Sequence, residues 1–395
     1  MRKISKVMVI AVLLISLLVG CTGNTNNGQA NDQDNINNDN TNDETQDDQD
    51  NVKDDNEDED KTDSNDENKN QEENANDEDE DEEVKKDPKE LIDLSLKPNE
   101  AGQIMVLMYH GVDKKEDTWV RTPENLMRDL EVLYEKGYRA ISLTDFVNND
   151  IEVEAGYTPV VFTIDDGLQN GFNIIEQDGE KVIDPNCAVG VMEAFKEKHP
   201  DFNMTATFFV NGFNPFRQEE LIGYKLNWLV ENGYDVGNHT TGHNNMSEVS
   251  DPSKMQKYIG EQANFLESFL DDYKVNTYAL AYGARPDDDL EYLLEQGEYD
   301  GHKYKNIAIL NVGWDPSVSP IDVKFNPLAI HRVRASEMNV DNVGMYNWLD
   351  VFDRYPERRF ISDGDSNIVT VPKKYEGKVD KEKIDDNELY IYEVE

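Results

Sequence analysis

This 395-residue sequence predicts an α/β domain built on a parallel sheet or barrel, preceded by a long stretch unable to fold by itself. Three observations carry the prediction. Seven short apolar runs with strand character recur after residue 100. Stretches of helical periodicity separate most of them, which is the βα alternation of a parallel sheet. Chemistry-bearing polar residues stand at the ends of several runs, where βα barrels place their sites.

The strand-like runs are Ile104–Tyr109, Pro159–Ile164, Thr205–Val210, Tyr234–Val236, Thr277–Ala281, Ile307–Leu310 and Leu328–Val333. The helical stretches are Leu126–Lys136, Val189–Lys198, Glu220–Glu231, Ser253–Leu270 and Asp289–Gln296. No G-x-G-x-x-G follows the first run, so a dinucleotide-binding fold has no support. No internal repeat is evident. After Tyr346–Phe352 the tail is short and charged and gives no clear pattern.

Ahead of the domain the chain divides in two. Residues 1–21 read as a targeting segment: Arg2, Lys3 and Lys6 precede the apolar run Val7–Val19, which is too short for a comfortable bilayer span. The run ends in Leu18-Val19-Gly20-Cys21, which resembles a bacterial lipobox. That resemblance implies cleavage before Cys21, acylation of its thiol and a lipid anchor on the extracellular face of the membrane. A plain secretory signal or an uncleaved anchor is the other reading. Residues 22–89 are Asn, Asp, Glu, Gln and Lys with almost nothing apolar. Such a segment cannot bury enough surface to offset its ordering entropy, so disorder is expected. Its like charges extend it, and its contour is on the order of 200 Å at ~3.3 Å per residue. It serves as a tether, or only as a solubilising spacer. The globular part then covers residues 90–395.

Charge and cysteine count narrow the function. Lys+Arg is 38 against Asp+Glu 84, a net charge of -46, which argues against a nucleic-acid partner. Nothing in the sequence implies a protein partner. The two cysteines are too few for a disulfide framework, and Cys187 reads as a small buried thiol.

Three clusters carry chemistry. Thr163-Ile164-Asp165-Asp166-Gly167 comes directly after Pro159–Phe162, at the end of the second run. Adjacent carboxylates repel unless a cation or shared proton intervenes, although Asp-Asp-Gly is also a common turn. His239-Thr240-Thr241-Gly242-His243 follows the fourth run. Two His four residues apart can converge on one ion, and with one carboxylate they leave the open position of a catalytic metal site. They could equally belong to a surface loop. Leu328-Ala329-Ile330-His331 opens the last run, and a lone His after apolar residues is more often a core or capping residue than a catalyst.

Together these segments resemble the polysaccharide deacetylase family, the NodB-homology domain. The Thr-Ile-Asp-Asp-Gly segment matches its Thr-Phe-Asp-Asp-Gly motif with Ile164 for Phe. His239 to His243 matches His-Ser/Thr-x-x-His, and Leu328 to His331 matches Leu-x-Ile-His. Thr205–Val210 matches the strand between the first two motifs, and Met108-Tyr109-His110-Gly111-Val112 the opening strand. The matches run in family order from about Ile104 to Val333.

The resemblance implies a distorted (β/α) barrel with fewer closed strands than eight. It implies a metal-dependent hydrolase that removes N-acetyl groups from an N-acetylated glycan, with cell-wall peptidoglycan favoured because a tethered lipoprotein sits beside it. Asp166, His239 and His243 would bind a divalent metal, with Zn²⁺ the default and Co²⁺, Ni²⁺ or Mn²⁺ able to serve. Asp165 would be the general base and His331 the general acid. The backbone N–H of Tyr282 would face the oxyanion. Trp314 would wall the pocket around His331, with Asp315 tuning that histidine. One motif departs from the family. The Arg that usually precedes a Pro-Tyr-Gly-like turn is missing, and Leu280-Ala281-Tyr282-Gly283-Ala284-Arg285-Pro286 places Arg285 after it. Arg285 therefore reaches Asp165 from another direction, or Asp165 is held differently. The same departure leaves open a wall-binding scaffold with a degenerate site. The interval from Leu168 to Met204 is also long for the family and is expected to line the groove or to be peripheral. Trp119, Trp228, Phe213 and Phe216 are candidates for sugar stacking.

Overall fold

The computed structural model describes residues 87–394 apart from residue 385. The targeting segment, Cys21 and nearly all of the 22–89 stretch lie outside the described residues. Among the described residues no helix is long and apolar enough to cross a membrane.

Eight parallel strands make one sheet: β1 (Met105–Tyr109), β2 (Tyr138–Ala140), β3 (Thr158–Ile164), β4 (Thr207–Val210), β5 (Asp235–Asn238), β6 (Thr277–Ala279), β7 (Ala308–Leu310) and β8 (Val333–Arg334). Their order is β7-β6-β5-β4-β3-β1-β8. Strand β2 shares one edge of β3 with β4, pairing Ala140 with Val160 while β4 pairs Thr207 with Thr163. The sheet curls into a ring. Ile330 bridges Leu310 at the end of β7, and three residues later Val333 pairs with Leu107 of β1. Seven strands thus close a barrel, and the (β/α) expectation holds.

Side-chain alternation divides the core into two layers. Val106, Val161, Phe209, Ala279, Leu310 and Ile330 cluster within the ring. Leu107, Phe162, Ile164, Phe208, Val236 and Ile309 face outward into a larger cluster with the helices. Strands covered on both faces read as continuous apolar runs, which is why β3 was legible from its sequence. The covering helices are α1 (Pro123–Glu135), α2 (Leu143–Asn148), α3 (Ala188–Lys198), α4 (Ile222–Glu231), α5 (Pro252–Glu267), α6 (Tyr292–Glu295) and α7 (Met345–Arg354). Helix α1 shows the local logic. Thr122 caps it by accepting from the Asn125 N–H at 3.1 Å, and Pro123 sits where a missing N–H costs nothing. Leu126, Leu130 and Leu133 then fall on its buried face, each worth about 1.5–3 kcal/mol. Cys187 is buried and caps α3, its Sγ accepting from the Gly190 N–H.

The structure corrects several elements. Leu328–Val333 is not one strand: Asn326 and Pro327 start a 3-10 turn over Pro327–Ala329, and pairing resumes only at Ile330. The helix expected over Asp289–Gln296 shrinks to the single turn α6, after which Gln296–Tyr299 and His302–Lys305 form a hairpin. The long interval after Leu168 contains a second hairpin, Ile174–Gln177 with Glu180–Ile183, followed by α3. In both hairpins an Asp-Gly pair takes the turn with positive φ at each residue, 54° and 84° at Asp178-Gly179 and 50° and 76° at Asp300-Gly301. The tail also folds. Ile368–Pro372 pairs in parallel with Glu388–Tyr392, burying Val369 and Val371 against Ala101 and Ile321.

One buried cation braces the loops near the site. Lys225 of α4 is fully buried, and its Nζ donates to the carbonyls of Phe172 at 2.7 Å and Phe216 at 3.2 Å. Burial pushes its ammonium down to about 8 from 10.5. Between those values the unfolded chain holds a proton that the folded domain has shed, so this group's contribution to stability rises with pH. Lys225→Met abolishes that dependence. Urea unfolding at pH 7.5 and 10 should show parent stability gaining roughly 2–3 kcal/mol on the variant. A constant difference would contradict a buried charge.

Candidate metal and catalytic site

Strand β3 delivers two carboxylates to the C-terminal end of the ring. Thr163 and Asp165 lie on its inner face, and the Asp165 N–H still donates to the Tyr109 carbonyl at 2.9 Å. Asp166 leaves the strand with φ of 75°, so its side chain goes elsewhere. Gly167 continues the turn at φ 55°, where a Cβ would lie 2.3 Å from Val210. Only glycine fits there.

Strand β5 supplies the histidines. His239 and His243 each place Nε2 3.5 Å from Asp166 Oδ1. One ligand atom from each of the three residues lies within 4.8 Å of the other two. His239 Nδ1 is 2.7 Å from the Ala279 carbonyl. A carbonyl can only accept, so Nδ1 carries the proton and Nε2 presents its lone pair. That Nε2 is buried without a hydrogen-bond partner. An orphaned buried acceptor costs about 1–3 kcal/mol, and a cation between these three groups would satisfy it. The donor set therefore fits a divalent metal. Asn211, just beyond β4, donates its Nδ2 to Asp166 Oδ1 at 3.3 Å and steadies that carboxylate.

Asp165 is held by a residue that sequence reasoning missed. Arg332 is fully buried within the ring, its two terminal nitrogens 2.7 and 2.8 Å from the two Asp165 oxygens. It also donates to Thr163 Oγ1 at 3.2 Å and to the Asn311 carbonyl at 2.9 Å. Burial pushes the Asp165 carboxyl up, but Arg332, with His239 and His110, overcomes it and holds the group well below the usual range. Arg285 does not reach Asp165. It donates to Asn311 Oδ1 at 3.1 Å, to Glu291 and to the Leu328 carbonyl. Its donors are thus spent on Glu291, Asn311 and the turn before His331, so Arg285 does not reach Asp165 from another direction and Asp165 is held differently. The signal for Arg332 was present: a charged residue inside an apolar run, directly after the histidine motif.

His331 faces the mouth, half exposed, with Nδ1 2.9 Å from Asp315 Oδ1. A carboxylate accepts, so Nδ1 donates and Nε2 remains available for proton transfer. Gly313 lies against it, where an added Cβ would be 3.3 Å from the His331 Cβ. Trp314 is 65% exposed, and its carbonyl accepts from Trp348 Nε1 at 2.8 Å. Tyr282 is 67% exposed at φ 59°, its ring centroid 4.5 Å from that of His243. Backbone held in that region marks many functional turns. His110, whose role the sequence left open, places Nε2 3.9 Å from Asp165 Oδ2 and packs its ring 4.7 Å from Trp119. Among the stacking candidates, Phe216 is fully buried and Trp228 packs on Phe172 and Tyr234, so both belong to the core. Trp119 and Phe213 are exposed.

Residues 154–300 match the family model described as polysaccharide deacetylase. The chain carries a polysaccharide deacetylase domain. The match spans Asp165, Asp166, His239, His243, Tyr282 and Arg285 but stops short of Asp315, His331 and Arg332. Of those three, His331 and Asp315 were read from the sequence, and Arg332 emerged only from the tertiary structure. No curated protein matches the chain. Solved structures similar to this chain include a Streptococcus pyogenes deacetylase in complex with acetate, with 16% identity over 63% of this chain and 97% of that one, TM-score 0.46. A Bacillus cereus polysaccharide deacetylase shows 18% identity over 63% and 68%, TM-score 0.46. IcaB from Ammonifex degensii shows 15% identity over 62% and 97%, TM-score 0.42.

Proposed function

We propose that this deacetylase domain is a metal-dependent N-deacetylase of N-acetylated wall glycan, peptidoglycan above all, tethered outside the membrane through a lipid on Cys21. The observation that carries the reading is one constellation: Asp166, His239 and His243 converge while Arg332 clamps Asp165 beside them. The location rests on the charged and apolar targeting segment, its Cys21 and the acidic stretch behind it.

A divalent ion held by Asp166, His239 and His243, with Zn²⁺ the natural choice, would polarise the acetyl carbonyl and supply a nucleophilic water at neutral pH. The chain's own residues do the rest. Asp165, held below the usual carboxylate range by Arg332, accepts the proton of the attacking water. The Tyr282 N–H donates to the developing oxyanion. His331, oriented by Asp315, gives its proton to the departing nitrogen. Arg332 keeps the base in place, and Gly313, beside Trp314, lies against His331 and leaves its ring open to the mouth.

The test is acetate release from N-acetylglucosamine oligomers and from peptidoglycan by the full chain, with and without added Zn²⁺ or Co²⁺. Metal-dependent release that Asp165→Asn lowers by about 10²–10⁴, the worth of a positioned proton acceptor, is the expected result. A stoichiometric metal with no release from any glycan would move the substrate to another amide. Neither metal nor release would leave a wall-binding scaffold.

A further inference from the structure

The long interval after the Asp165-Asp166 motif builds something specific. Its hairpin (Ile174–Gln177 with Glu180–Ile183) and the start of α3 face the loop that follows β1, and a cleft of about 840 Å³ lies between them. The cleft is built by the segments that lead away from the site residues. Leu168 and Asn170 on its floor come two and four residues after Asp166, and Asp113 and Lys114 on its wall come three and four after His110.

The lining mixes apolar side chains with an organised polar row. Asn173 donates its Nδ2 to Asp184 Oδ2 at 2.9 Å, and Asn186 donates to Asp184 Oδ1 through its N–H at 2.9 Å and its Nδ2 at 3.2 Å. Gln169 donates to Asn173 Oδ1 at 3.0 Å. This row of amides around a fixed carboxylate offers donors and acceptors at set positions, as sugar hydroxyls require. The charges are unequal: Asp113, Glu124 and Asp184 line the cleft against Lys114 alone. Such a cleft repels an anionic segment and attracts a cationic one. The proposed reaction itself makes a cation, since each deacetylated hexosamine bears a free primary amine.

We infer that this cleft binds a hexosamine unit whose amine is already free, next to the unit under reaction, so that the enzyme prefers partly deacetylated chains. The inference rests on the deacetylase reading above. It gives the inserted segment a role in substrate choice, with Asp184 and Glu124 as the groups that face the amine.

Two measurements decide it. The first compares kcat/KM of the Zn²⁺-loaded full chain for fully acetylated N-acetylglucosamine pentamer and for the pentamer carrying one free amine. A preference of about threefold for the amine is expected at low salt, the worth of an exposed ion pair, and its loss at 1 M salt. Glu124→Gln and Asp184→Asn should reduce the preference, and Lys114→Gln should increase it. Opposite signs from charge changes in one cleft are not produced by misfolding. The second is calorimetric binding of a glucosamine hexamer without acetyl groups to the chelator-treated full chain, which reads the cleft independently of catalysis. Binding that Glu124→Gln weakens about threefold and Lys114→Gln strengthens supports the inference. Equal kcat/KM for both pentamers, or hexamer binding indifferent to these substitutions, overturns it. Absence of acetate release from either pentamer defeats the deacetylase reading instead, and hexamer binding then decides the cleft alone.

Discussion

Arg332→Met should abolish most activity and destabilise the domain by about 3–5 kcal/mol, because it strands the buried Asp165 carboxylate without its counter-charge. Arg332 is completely enclosed and binds Asp165 and Thr163 at the end of β3 and the Asn311 carbonyl after β7, so its loss uncouples its own segment from two others. Without the guanidinium, burial is left to raise the Asp165 carboxyl, which the clamp now holds down. The base would then enter its protonated, inactive form as pH falls. Arg332→Lys should rescue little, since one ammonium cannot match two oxygens at once. The double variant Asp165→Asn with Arg332→Met should recover part of the stability and none of the activity. Urea unfolding of the parent and the variants, alongside acetate release, separates the two effects. An Arg332→Met chain of unchanged stability and rate would remove the clamp from the account.

The second large effect is at His239. His239→Ala deletes the one metal-site nitrogen that is buried, unpartnered and fixed in its tautomer by the Ala279 carbonyl. Elemental analysis should fall from one ion per chain to a small fraction of that. Acetate release should drop by more than about 10³, because a free water ionises near pH 15.7 and not near 7. Dialysis of the parent against a chelator should reproduce the loss, and Zn²⁺ should restore it. Asn211→Ala offers a milder comparison, since it removes only a donor to Asp166, and a loss of about 10–100-fold in metal affinity is expected. Full metal occupancy in His239→Ala would show that the ion, if any, sits elsewhere.

Much of the ring could be read directly. Pro159–Ile164 and Thr205–Val210 were legible because both faces of these strands are covered, which leaves unbroken apolar runs. Tyr138–Ala140 was not, because it has three residues and carries Arg139, whose guanidinium stacks on Tyr134 and Tyr157. The two hairpins advertised themselves only through Asp178-Gly179 and Asp300-Gly301, and the strands beside those turns are too exposed to alternate clearly. Parallel pairing of Ile368–Pro372 with Glu388–Tyr392 joins residues about twenty apart, a contact that no local periodicity announces.

The sequence by itself determined the order of most ring strands and of the longer helices, the two carboxylates after β3, the histidine pair after β5 and the late His331. Each is a local pattern, written by residue type and spacing, and each survives folding because a strand end delivers its next residues to one rim. What holds those groups was decided only by tertiary structure. Arg332 meets Asp165 across 167 residues, and Asn211 meets Asp166 across 45. Arg285 was drawn aside to Asn311 and Leu328. These partnerships depend on where ring closure sets Ile330 against Leu310 and Val333 against Leu107. Charge pairing acts through space at a few ångströms, and separation along the chain says nothing about it until the ring has closed.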